Sequence, residues 1–77
     1  MKATVKRLTR NCRHLVAGRD VTDAVCDLEI IAEDAGFLLL RFDQSGVCIA
    51  DTWHESEAQA KSQAKFEYEV EPEDWKL

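Results

Sequence analysis

Seventy-seven residues that are 45% hydrophobic and 32% charged suit one soluble globular domain and exclude a disordered chain. The longest apolar run, Phe37 to Leu40, is far too short to span a membrane, and no apolar stretch follows the early lysine to make a signal peptide. The net charge of −5 is unevenly spread, because residues 1–19 carry +6 and residues 20–77 carry −11.

The basic segment contains Lys2, Lys6, Arg7, Arg10, Arg13 and Arg19. Such an arm on an acidic body can grip phosphate, or it can pair with acids of its own chain. Within it, Val5, Leu8, Cys12, Leu15 and Val16 recur at helical spacing, yet Thr4, Val5 and Thr9 favour strands and no N-cap is evident. Residues 4–16 therefore read as a helix or an extra strand. Ala17 to Thr22 reads as a connection.

A meander of three antiparallel strands follows, at about 25–33, 37–43 and 47–54. Cys26, Leu28, Ile30 and Ala32 alternate with Asp27, Glu29, Ile31 and Glu33, the period of a half-buried strand. Glu33-Asp34-Ala35-Gly36 and Asp43-Gln44-Ser45-Gly46 each end in glycine, as three-residue hairpin loops do. Loops of that length set Glu33 opposite Phe37 and Asp43 opposite Val47. One sheet face is then nearly all apolar, with Leu28, Ile30, Leu38, Leu40, Phe42, Cys48 and Ala50, joined by Thr52. The other face carries Phe37, Leu39, Arg41, Ile49 and Trp53, with Glu29 directly across from Arg41.

A helix is expected at about 56–70, packed on the apolar face. Ser56 is its N-cap and Gln59 completes a capping box, while Ala60, Ala64 and Tyr68 recur on one side. Pro72 ends it, and Trp75 folds back over the end of the core. Glu67 falls at the centre of the helix's inner face, where a carboxylate needs a donor such as an indole or an imidazole. The fold expected is thus a single α+β domain.

No constellation for catalysis is evident. Ser45 and Ser56 have structural roles, the glycines serve turns, and Cys48 and His54 are about 20 Å apart in an extended strand, too far for one metal ion. No cofactor or metal is expected. Three widely spaced cysteines without a Cys-x-x-Cys motif suit reduced thiols in the cytoplasm. The expected function is a non-enzymatic protein–protein interaction module that uses Phe37, Leu39, Arg41, Ile49 and Trp53 to meet a protein partner or a second copy. The alternative is nucleic-acid binding through Lys6, Arg7, Arg10 and Arg13.

The run Leu40-Arg41-Phe42-Asp43, then Gly46, then Cys48-Ile49-Ala50-Asp51-Thr52-Trp53-His54, with Ala60, Gln63, Ala64, Glu67, Tyr68 and Asp74-Trp75 after it, resembles small uncharacterised bacterial proteins. They share an Asp-Thr-Trp-His hairpin and a C-terminal helix. The resemblance covers residues 36–76 and implies a bacterial cytoplasmic setting, with no activity attached. If residues 4–16 are helical, the αβββα order is also similar to double-stranded-RNA-binding domains. In that family the last helix opens with phosphate-gripping lysines, whereas Glu55, Ser56 and Glu57 stand here.

Overall fold

The computed structural model describes all residues, Met1–Leu77. The strands are β1 (Lys2–Thr4), β2 (Leu15–Val16), β3 (Arg19–Asp20), β4 (Asp27–Glu33), β5 (Gly36–Phe42) and β6 (Cys48–His54), followed by helix α1 (Glu57–Tyr68). The main sheet is antiparallel with four strands in the order β1-β4-β5-β6, not the three of the expected meander. Strands β2 and β3 form a separate small hairpin.

The fourth strand comes from the N-terminal segment, which is neither a helix nor a long strand over residues 4–16. Arg10 takes a positive φ of 61°, incompatible with a continuous helix. Beyond β1 the chain runs as an arm along the end of α1, and its apolar Val5 and Leu8 reach the core from there. The amides of Lys6 and Arg7 donate to the Tyr68 carbonyl, and that of Thr9 donates to Glu67. The Asn11 side chain adds a bond to the Phe66 carbonyl. Carbonyls that a helix end leaves without partners are thereby satisfied, at the cost of the arm's own regular structure.

Both hairpins hold a surprise. In the first, Glu33 pairs with Gly36, so the loop has two residues rather than three. Asp34 and Ala35 both adopt positive φ, at 46° and 59°, the requirement of a type I′ turn. Gly36 is thereby released from the turn to serve as a strand residue. A Cβ built there would come within 2.2 Å of the Trp53 indole, so the ring lies directly on the glycine backbone.

The second turn forms as the sequence suggests. Gly46 has a φ of 85° and donates to the Asp43 carbonyl, while the Asp43 carboxylate accepts from the amides of Ser45 and Val47. Two residues further on, however, Phe42 pairs with Cys48 whereas Arg41 pairs with Ala50, which leaves Ile49 as a bulge. The two one-residue shifts cancel across the sheet. Strand β4, and β6 from Ala50 onward, keep their expected orientation, while β5 is turned over and Cys48 goes to the outer face with it.

The core lies between α1 and the sheet face bearing Ala3, Leu28, Ile30 and Leu39. Ala60 and Ala64 are fully buried, which permits close approach of helix and sheet, and Tyr68 and Val70 close one end. Ser56 caps α1 by accepting from the Gln59 amide, and the Gln59 side chain accepts from the Glu55 amide. The helix stops at Tyr68, earlier than Pro72 alone implies, because Glu69 turns left-handed with φ 57°. Trp75 packs against the core as expected, and Lys76 pairs with Lys2 along the β1 edge.

Two neighbouring substitutions should have opposite signs. Ala35→Gly relieves a left-handed alanine and is expected to stabilise the protein by about 0.5 kcal/mol. Gly36→Ala is expected to destabilise it by about 1 kcal/mol, since the indole can swing toward solvent but loses its seat. Urea denaturation of each variant checks both, and the Trp53 emission of Gly36→Ala should shift to the red.

Candidate functional site

The reversal of β5 puts Arg41 under the helix, where it is 0% exposed, facing Glu67 at 3%. Arg41 Nη2 donates to Glu67 Oε2 at 2.7 Å, and its Nε donates to Oε1 at 3.3 Å and to the Tyr68 hydroxyl at 3.1 Å. Nη1 donates to the Leu39 carbonyl and to Thr52 Oγ1. Two further groups close on the carboxylate. His14 Nε2 lies 2.6 Å from Oε1, and Gln63 Nε2 donates to Oε2 at 2.6 Å. An ionised carboxylate only accepts, so His14 Nε2 carries the proton.

Burial pushes the Glu67 carboxyl up, but hydrogen bonds from Arg41, His14 and Gln63 outweigh it and hold the group at about 2. Burial raises the Tyr68 hydroxyl well above its ordinary value, helped by the nearby carboxylate. On the far side of Arg41, Thr52 Oγ1 sits 2.7 Å from His54 Nε2. Burial, then the charge of Arg41, lowers the His54 imidazole below its ordinary value.

This cluster is chemically dense but closed. Every Arg41 nitrogen is engaged and Glu67 is ionised with both oxygens taken, so neither can offer a proton or a free charge to a ligand. His14 reaches the surface, where its side chain is 12% exposed beside a shallow groove between Arg13–Val16 and Cys48–Asp51. The cluster's role is to clamp α1, the arm and β5 together. Cys12 joins it only as an acceptor from Gln63. The bulge puts Cys48 on the opposite face from His54, and no three histidine, cysteine or acidic side chains are grouped to hold a metal.

The residues expected to form the outer surface are largely turned inward. Leu39 and Arg41 are completely buried, while Phe37 and Ile49 are partly buried and pack against the core. Glu29 faces Leu40 and not Arg41. Trp53 alone is where the sequence places it, 51% exposed. The correction follows from the two register shifts, since a one-residue slip carries every side chain of a strand to the other face.

The face away from α1 is still apolar, with different members. Ile31, Leu38, Leu40 and Phe42 are half-buried there beside Trp53, in the order Ile31–Leu38–Trp53 across one row of strands. The helix packs on the opposite face, and the N-terminal arm follows the helix instead of crossing this one.

The four arm cations expected as phosphate contacts are each paired. Lys6 meets Asp74 at 2.6 Å, Arg7 meets Glu69 at 3.1 Å, Arg10 meets Asp23 at 2.9 Å and Arg13 meets Asp20 at 3.1 Å. The Lys6 ammonium donates to Asp74, which holds the lysine above its ordinary range and the carboxyl below its own. A concavity of about 710 Å³ near β1 mixes Lys2, Lys6 and Lys76 with Asp27, Glu29 and Asp74, and presents no surface of one sign. No helix is long and apolar enough to cross a membrane. Comparison with protein families, with curated proteins and with solved structures finds no match.

Two outcomes test the cluster. Arg41→Ala leaves a buried carboxylate without its cation and is expected to cost about 3–5 kcal/mol in chemical denaturation. Because the folded Glu67 pKa is depressed, its stabilisation is complete above the unfolded value of about 4.3 and lost as pH falls toward 2. The denaturation midpoint should therefore drop between about pH 4.5 and pH 2, and Glu67→Gln, though less stable at neutral pH, should show a flatter profile there. Asp20, Asp43 and Asp74, also depressed through their own hydrogen bonds, leave a residual slope.

Proposed function

We propose that the protein is a non-enzymatic protein–protein interaction module whose contact surface is the outer sheet face around Leu38, Leu40, Phe42 and Trp53. The observation that carries this reading is a row of large apolar side chains, with a half-exposed indole, on a sheet face that the helix and arm leave open. Water in contact with such a face is released when a partner covers it, and an aromatic ring at its centre is the usual anchor of an interface. Gly36 supports the same reading, because it exists as a strand residue to seat that ring. The module works in a reducing compartment such as the cytoplasm, consistent with three free cysteines.

Nucleic-acid binding by the arm is the weaker reading, since each of its four candidate contacts already has a carboxylate and the molecule as a whole is acidic. A photo-activatable side chain at Leu38 should give cross-linked protein adducts in cells that express the chain, whereas one at Ser62, on the exposed side of α1, should not. Equal yields from the two positions, or none from Leu38, would overturn the proposal.

A further inference from the structure

Taking the outer face as the contact surface, we infer that its partner is a basic amphipathic polypeptide segment, with lysine or arginine flanking apolar side chains. The argument is a matter of where the unbalanced charge lies. Of the ten basic side chains, seven are matched to acids of the same chain within 4 Å, namely the four of the arm together with Arg41, Lys61 and Lys65. Seven of the fifteen acids are used in these pairs, which leaves eight acids against Lys2, Arg19 and Lys76.

Those eight acids are not scattered. Asp27, Glu29 and Glu33 project from β4 on the outer face, and Asp51 projects from β6 on the same side. Asp34, Asp43 and Glu55 stand at the hairpin ends that border it, and only Glu73 lies elsewhere. At the β1 end of this face Lys2, Lys6 and Lys76 offset Asp27, Glu29 and Asp74, so the surplus negative charge lies toward Glu33, Asp34, Asp51 and Glu55, beside Leu38, Leu40 and Trp53. Lys2, opposite Glu29, and Lys76 beside it are the two cations at the far edge.

An apolar strip with an acidic border is complementary to a segment that buries leucine-like side chains and brings cations to the rim. A second copy fits less well, because stacking two such faces brings the central carboxylates of both β4 strands into one desolvated layer. Polyanions and anionic bilayers are repelled by the same border.

The test titrates the full chain with a synthetic sixteen-residue helical peptide of leucine and lysine, and with its counterpart carrying glutamate for lysine. The lysine peptide is expected to bind, to shift backbone amide resonances of β4, β5 and β6 at outward-facing positions, and to weaken as salt is raised from low to moderate concentration. Glu29→Lys combined with Asp51→Lys should weaken it at least tenfold. Glu73→Lys, an acid away from the face, should change it less than twofold, and Leu40→Ser should abolish the shifts at the face. Equal binding of the glutamate peptide, shifts confined to α1, or an equal effect of Glu73→Lys would overturn the inference. If sedimentation instead shows a dimer that Leu40→Ser dissociates, the face remains an interface and the basic partner is wrong. If the peptides do not bind and position 38 gives no cross-links, both readings fall together.

Discussion

The buried contact between Arg41 and Glu67 is the constraint from which the rest of the architecture follows. Placing an arginine inside the sheet face requires a carboxylate opposite, and α1 supplies one from the inner side of its last turn. The charges then need every remaining hydrogen bond filled, because an unmatched ion in a low-dielectric interior is far more costly than the pair is favourable. His14 and Gln63 complete the carboxylate, and Leu39, Thr52 and Tyr68 complete the guanidinium. In doing so they tie the N-terminal arm, strands β5 and β6 and the helix to one point.

That point also determines what remains outside. With Arg41 inward, Leu39 and Phe37 go inward too, so Leu38, Leu40 and Phe42 are obliged to face away from the helix. The outer face is therefore a by-product of the clamp as much as a surface in its own right. The arm has a matching double effect. It caps α1, and its cations neutralise Asp20, Asp23, Glu69 and Asp74, which leaves the surplus charge to acids that the arm does not pair.

Much of this was legible in the residues. The three long strands, the helix with its Ser56 cap, the Asp43 turn and the self-paired reading of the basic arm can all be read from local chemistry. The orientation of β5 could not be read from glycine spacing, since Asp34-Ala35-Gly36 allows either a three-residue loop or a two-residue turn with alanine in an unfavourable conformation. The bulge at Ile49 has no sequence marker of its own. A signal for both was nevertheless present. Glu67 on the inner side of the helix calls for a cation, Arg41 is the one base in the meander, and bringing them together forces β5 to turn over. Apolar alternation does not reveal that demand, because Leu38, Leu39 and Leu40 satisfy either orientation equally. The short β1 was hidden for another reason, as three residues that pair through backbone bonds leave almost no periodic trace.

The extra residue in β6 has a bearing on how this molecule keeps company. Strand β6 ends the sheet and has no hydrogen-bonded strand on its outer side. An unpaired border of that kind invites foreign chains to extend the ladder, which is how fibrils grow. Ile49 interrupts the row of amides and carbonyls and twists it out of plane, so an incoming strand finds no straight template. Association by lateral addition is thus discouraged at the border where it would be open-ended.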